Sequence, residues 1–242
     1  MRILWYYQYD LPQLQRIAED KLREYDAERL TVPKKIDVFD FAEFYLGVDI
    51  DPQRLSPNQQ VLGVTAFNDG YWYIWPEGDR LPTRHPVRKG TILVDDRLLD
   101  DDSNEGRLNF TVIHEGFHWI LHPKVFAKQE AVYKGHYSKD NTSARIGTKK
   151  PQLSGIEITE WQANAAAAAF LMPREAVTLA FREVMKVPAN RMLPIPCTLA
   201  VDSRIGEIAD MFGVSFTSMK YRFIDLSLIA ERSFRTSAAE MF

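Results

Sequence analysis

Between Asn104 and Pro123 the chain reads NEGRLNFTVIHEGFHWILHP, and no other stretch restricts what it can fold into so strongly. Phe110, Ile113, Phe117, Ile120 and Leu121 recur at helical period, which predicts one helix buried along a single stripe. Asp102-Ser103-Asn104-Glu105 offers a capping-box start and Pro123 a stop, because a proline nitrogen cannot donate to the preceding turn. On that helix His114 and His118 stand one turn apart on one face, roughly 6 Å along the axis, so both imidazoles can converge on one ion. Glu115 projects beside them, placed to take a proton from a metal-activated water as general base. With five histidines in the chain, a chance His-Glu-x-x-His is improbable, and the uncharged neighbours Thr111, Val112, Gly116, Phe117 and Trp119 suit a zinc helix set in a core. The competing reading is a buried helix whose histidines only hydrogen-bond. His122 lies two turns, roughly 12 Å, beyond His114, and a straight helix cannot bring both to one ion.

Catalytic zinc takes three protein ligands and keeps a fourth position open. Ser154-Gly155-Ile156-Glu157 is a second capping-box start, followed by ITEWQANAAAAAFLM and a stop at Pro173, which predicts a helix over about 155–172. Glu157 and Glu160 stand in its early turns. Alanine is the best helix former, and the run from Ala165 to Ala169 would also let this helix approach the zinc helix closely. Asn164 lies one turn beyond Glu160 on the same face, where it could orient that carboxylate. Residue chemistry leaves Glu157, Glu160 and His136 in contention, with Glu160 favoured by Asn164.

The segment FTVIHEGFH followed by EWQANAAAAAFLMP resembles the ImmA/IrrE family of metallopeptidases, over roughly residues 33–173. The resemblance implies an α+β, zincin-like fold, a Zn2+ held by His114, His118 and Glu160, and Glu115 as general base. Ala163-Asn164 and Leu171-Met172-Pro173 match the rest of the family's pattern. It further implies a cytoplasmic regulatory endopeptidase whose partner is a protein substrate of the repressor type. Two positions depart from it: Phe117 occupies the glycine position of the usual HELGH, and Ala166 replaces a phenylalanine common after Ala-Asn. Phe117 would either narrow the cleft or pack into the core.

Composition narrows the rest. The formal net charge of -3 predicts no bulk attraction to nucleic acid or to an anionic membrane. A single cysteine, Cys197, allows no internal disulfide and no cysteine-based zinc site. The N-terminus MRILWYYQYDLPQ lacks a signal-peptide pattern and no stretch approaches the ~20 apolar residues of a membrane span, so a cytoplasmic location without membrane partners is expected.

Ahead of the zinc helix, 10–25 and 37–46 read as amphipathic helices, the second ending at Gly47. Val61–Phe67, Asn68-Asp69-Gly70 and Tyr71–Trp75 read as a β-hairpin, and Thr91–Asp95 as a third strand, with Pro76, Pro82 and Pro86 in an irregular connection. The strand just before the zinc helix is the natural edge for an extended substrate to join, scaffold being the competing role. The lysine-rich stretch from Pro123 to about Gly155 reads as a surface excursion, in which Tyr133, His136 and Tyr137 could stabilise an oxyanion. After Pro173 another helix is expected, then a proline-broken stretch. Residues 202–224 read as helix, turn and helix, with Gly213 in the turn and Ser215 as the second N-cap.

The chain thus divides into a zinc metallopeptidase domain, 1–186, and a C-terminal helical segment, 187–242, packed on it. The fold class expected is α+β, mostly helical with a small β-sheet. The rival reading is a DNA- or protein-binding regulator with a structural or vestigial zinc site, motivated by the helix-turn-helix-like segment. Against DNA, residues 200–242 carry Arg204, Lys220, Arg222, Arg232 and Arg235 but also Asp202, Glu207, Asp210, Asp225, Glu231 and Glu240, which is no footprint for a phosphate backbone.

Overall fold

The computed structural model describes residues 9–126, 135–137 and 155–230. Helix α1 (Leu11–Asp26) begins at a capping box in which Asp10 accepts from the Gln13 amide at 2.8 Å and Gln13 accepts from the Asp10 amide at 2.9 Å. Helix α2 (Val38–Asp40) starts at Asp37, whose carboxylate accepts from the Asp40 amide, and widens into a π-helical turn, Phe41–Tyr45. Gly47 ends it with a φ of +66°, a conformation a β-carbon disfavours.

Among the described residues, six strands form two sheets. β1 (Asp49–Gln53), β2 (Val61–Thr65), β5 (Thr91–Asp95) and β6 (Gly135–Tyr137) form one sheet in the order β1-β5-β2-β6, with β1 parallel to β5 and the other pairs antiparallel. β3 (Gly70–Ile74) and β4 (Thr83–Val87) form a separate two-stranded ribbon. The expected hairpin between the 61–67 and 71–75 strands is therefore corrected. β2 pairs with β5 and β6, while β3 turns back on β4. Every residue of β2 is buried between the helical core and the ribbon, whereas β3 is largely exposed, with Trp72 and Ile74 packing inward. Asn68-Asp69-Gly70 also lacks the positive φ angles of a tight hairpin turn, and Asp69 instead accepts from the Lys89 amide. The proline-punctuated connection holds β4, and Pro86 is tolerated because a two-stranded ribbon is all edge.

A second correction concerns the strand before the His-Glu-x-x-His helix. β5 lies between β1 and β2, with all five residues buried, so it offers no free edge. Among the described strands the edges belong to β1 and β6. One face of this sheet joins the helical core through Leu62, Ile92 and Val94; the other packs on the ribbon through Val61, Val64 and Leu93.

Helix α3 (Glu105–Leu121) carries the His-Glu-x-x-His segment. Its capping box does not form: Asn104 makes no side-chain cap, and a short 3₁₀ turn leads in, where Asp101 accepts from the Ser103 amide and hydroxyl. The chain restarts at Pro123 as the single turn α4 (Pro123–Phe126). The rest of the lysine-rich stretch, apart from β6, lies outside the described residues, and Tyr133 with it. Of His136 and Tyr137 only the strand is described, so their expected roles fall outside too.

Helix α5 (Gly155–Leu171) is apolar all round in its C-terminal half, where Ala165–Ala169 are all buried, as is Ala163 before them. Such a helix belongs inside a core, and α5 lies against both α1 and α3. Helix α6 (Arg174–Val184) follows Pro173. Helices α7 (Leu199–Phe212) and α8 (Phe216–Asp225) meet at Gly213, whose φ is +62°, with Ser215 capping the Ser218 amide. Ile205, Ile208, Phe212, Met219 and Phe223 share one cluster with Leu14 of α1 and Val112 of α3. No helix among the described residues is long and apolar enough to cross a membrane.

Candidate metal centre

Three ligand-bearing side chains meet where α3 faces α5. His114, His118 and Glu160 each offer an atom within 4.8 Å of the others. The two imidazole Nε2 atoms are 3.0 Å apart, and each lies 3.4 Å from a different oxygen of Glu160. Helical spacing places the histidines, as expected from residues one turn apart. Close packing places the glutamate: the small buried side chains of Ala163 and Ala165–Ala169 let α5 run against α3, and a carboxylate in its second turn reaches the histidines. Glu157, one turn earlier, is exposed and outside the group.

The chemistry of this donor set suits a cation. Two imidazole lone pairs and a carboxylate directed at one point repel one another unless a proton or a metal ion sits among them. Two histidines and a carboxylate with an open fourth side are a common catalytic zinc set. Burial works against a charge on His118, but the nearby Glu160 carboxylate and Glu115 outweigh it and hold its pKa above the ordinary histidine value. His114 and His118 are both buried, so charge interactions among the three groups are little screened by water.

Glu115 lies on the sheet side of the cluster, 1 % exposed. The Thr65 hydroxyl on β2 stands 2.6 Å from its Oε2 and 3.0 Å from its main-chain oxygen. Gly63, two residues earlier on β2, has no room for a side chain: a β-carbon there would sit 2.7 Å from Glu115 Cγ and 2.8 Å from Thr111 Cγ2. The pairing of β2 with β6 shifts register between Val61 and Gly63. Bulges of this kind re-aim a strand beside a site, and here Leu62 joins the helical core while Gly63 abuts the glutamate. Nothing in the sequence pointed to Gly63 or Thr65, which lie some 50 residues from Glu115.

The two departures in the motif are absorbed by the core. Phe117 is fully buried, its ring 5.7 Å from that of Phe170 on α5, so it packs away from the metal face. Gly116 permits contact with the π-helical turn, since a β-carbon there would be 3.1 Å from Leu46 Cδ1. His122, excluded as a ligand by its distance along the helix, lies instead behind His118, with Nδ1 facing Nδ1 at 3.0 Å. Gln162 Oε1 approaches its other nitrogen at 2.9 Å. The residue of α5 that backs the histidines from behind is Gln162. Phe126 closes this side, its ring edge-on to both His118 and His122.

The helix-turn-helix-like pair is turned into the protein. A β-carbon on Gly106 of α3 would lie 2.5 Å from the Ser215 nitrogen, and Asn109 of α3 donates to the Gly213 carbonyl at 2.8 Å, so the turn is docked on α3. Among the described cations of this pair, Arg204 reaches Glu207, Lys220 pairs with Asp202, and Arg222 is buried.

Comparison with known proteins agrees with this geometry. Residues 98–223, just over half of the chain, match the IrrE N-terminal-like domain, a peptidase family, and the chain belongs to that family. The matched span runs from the end of β5 through the cluster and into α8. A search of curated proteins found no match.

Proposed function

We propose that this member of the IrrE N-terminal-like peptidase family is a zinc-dependent endopeptidase in which His114, His118 and Glu160 hold the metal and Glu115 is the general base. The observation that carries the reading is the convergence of two Nε2 atoms and a carboxylate within 4.8 Å, with a second, buried carboxylate next to it in sequence. A zinc ion held there would lower the pKa of a water toward neutrality and polarise the scissile carbonyl. Glu115 then takes the proton of the attacking water on its carboxylate and delivers it to the leaving amine nitrogen. The Thr65 hydroxyl, donating to Oε2, limits the rotation of that carboxylate and biases which oxygen meets the proton. Low polarity around both groups strengthens each charge interaction over its value in water.

The substrate proposed is a repressor-like protein, cut inside the cytoplasm. The segment 187–242 enters this reading as a unit completing the peptidase portion, 1–186, and not as a DNA reader, because the described cations of α7 and α8 are paired or buried.

The test uses the full chain, zinc-loaded, on a mixture of proteome-derived peptides, with new N-termini read by mass spectrometry. Wild type should cut. Glu115→Gln should retain stoichiometric zinc yet lose about 100- to 10,000-fold in rate, the range of a general base. Equal cleavage by the two proteins would sink the reading, and zinc uptake without any cleavage by wild type would favour a structural metal.

A further inference from the structure

His122 has no place in the ligand set, yet it is 2 % exposed and both of its ring nitrogens are engaged. The direction of the proton at each contact follows from the partners. Gln162 Oε1 is an amide oxygen and only accepts, so His122 Nε2 must carry hydrogen and donate across the 2.9 Å contact. A neutral imidazole has one N–H, which leaves His122 Nδ1 as a lone pair. His122 is buried, and its two ring contacts are an amide oxygen and an imidazole nitrogen, neither of them a carboxylate, so nothing at those contacts compensates a charge on the ring and it stays neutral. Across the 3.0 Å contact His122 Nδ1 is then the acceptor and His118 Nδ1 the donor. His118 with its proton on Nδ1 has its lone pair on Nε2, the atom that faces His114 and Glu160.

We propose that Gln162 and His122 form a neutral hydrogen-bond relay that fixes His118 as the Nδ1–H tautomer and so presents Nε2 to the metal. The proposal rests on the metal reading above for its purpose, though the proton directions stand by themselves. The opposite arrangement shows what the relay excludes. If Gln162 donated through its amide nitrogen, His122 would hold hydrogen on Nδ1, and His118 would carry its proton on Nε2, in the space the ion needs. Zinc and the reversed relay are mutually exclusive.

The neutrality of the relay is its second consequence. A histidine ligand is commonly backed by a carboxylate, a backbone carbonyl or a water, and a carboxylate makes it a stronger donor. Here an imidazole backed by an amide orients His118 without adding negative charge. Two neutral histidines and one carboxylate leave a doubly charged cation with a net positive charge, which favours activation of a water over saturation of the site. His122 and Gln162 are positioning residues, since neither touches the reacting atoms. They come from the last residue capping α3 and from α5, two residues after Glu160, so the ligand and the support of its neighbour share a single helix.

Two measurements on the full chain decide the matter. Long-range 1H–15N correlation on the zinc-free protein reads the tautomer of His122, and chelator competition reads zinc affinity for wild type, Gln162→Met and Gln162→Glu. The relay requires His122 to carry its proton on Nε2, whether His118 is neutral or charged. Gln162→Met, which keeps volume but removes the acceptor, should weaken zinc binding by about 10- to 100-fold, the usual effect of losing such a support. Gln162→Glu, which can only accept, should recover most of that loss, a rescue that filling space alone would not give. A proton on His122 Nδ1, or wild-type zinc affinity in a folded Gln162→Met, overturns the relay. Should Gln162→Met fail to fold, the tautomer of wild type still decides. A wild-type chain that takes up no zinc overturns the metal reading instead, which separates the two failures.

Discussion

Two buried polar clusters lean on the same helices, and they are built on opposite principles. At the C-terminal half of α3, His114, His118 and Glu160 bring lone pair against lone pair. At the other end of the core, Arg222 of α8 donates through Nε to the Met172 carbonyl and through Nη2 to Gln15 of α1, each at 2.9 Å. Nearby, Asn109 donates to the Gly213 carbonyl. In the second cluster every contact runs from a donor to an acceptor and ends there, so it needs nothing from outside and acts as scaffold. The first can close only around a cation. Buried polarity alone does not mark a site; the direction of its hydrogen bonds does.

The hardest blow to this contrast is also the largest effect expected. Glu160→Ala should abolish stoichiometric zinc uptake, measured by metal analysis of purified protein, while Glu157→Ala keeps it. Loss with Glu157→Ala alone would move the ligand by one turn and dissolve the cluster described here. The contrast sharpens at Gly63: Gly63→Ala drives a β-carbon into Glu115 and should lower turnover by about 100-fold, the scale of a reacting group misplaced by about 1 Å, with zinc content unchanged. On the scaffold side, Arg222→Met should leave zinc affinity intact and lower stability in urea by about 1–3 kcal/mol, because the Gln15 and Met172 oxygens lose their buried donor.

The smallest effect separates the clusters by pH. Burial raises the pKa of Asp225 to about 7 against the opposing pull of Arg222, and its buried Oδ2 has no hydrogen-bond partner among the described residues. The native state therefore holds this proton more tightly than the unfolded chain, whose aspartates titrate at ~3.9. Stability from this group is present at low pH, declines as pH rises from about 4 toward 7, and is absent above. Asp225→Asn should flatten that part of the profile in thermal melts. An unchanged slope would show that Asp225 is ionised and solvated in the native state.

What the sequence made legible was local and helical. The apolar period and the flanking prolines bounded α3 and α5, and helical phase was enough to set His114 beside His118 and to remove His122 from the ligands. The site's other half is non-local. No spacing rule links Thr65 or Gly63 to Glu115, because β2 reaches α3 only after the sheet has assembled. The sheet itself was misread for a related reason. Asn68-Asp69-Gly70 is a strong local turn signal, but two-sided burial draws β2 to β5 and β6, and burial on two sides leaves no alternation to read. His122 could have been found, since its four-residue offset from His118 is the same spacing that identified the pair before it.

The alanine run of α5 has a consequence for how such a site can change over time. With Ala165–Ala169 buried, α5 is a shim whose thickness is one methyl group on each side. Enlarging these buried side chains overpacks the core at a cost of about 1–3 kcal/mol and would shift α5, which carries Glu160, against its neighbours α1 and α3. Variation in residues with no chemistry of their own would thereby change the spacing of His114, His118 and Glu160. On the metal reading proposed above, affinity for the ion would be written in the calibre of the core as much as in His114, His118 and Glu160.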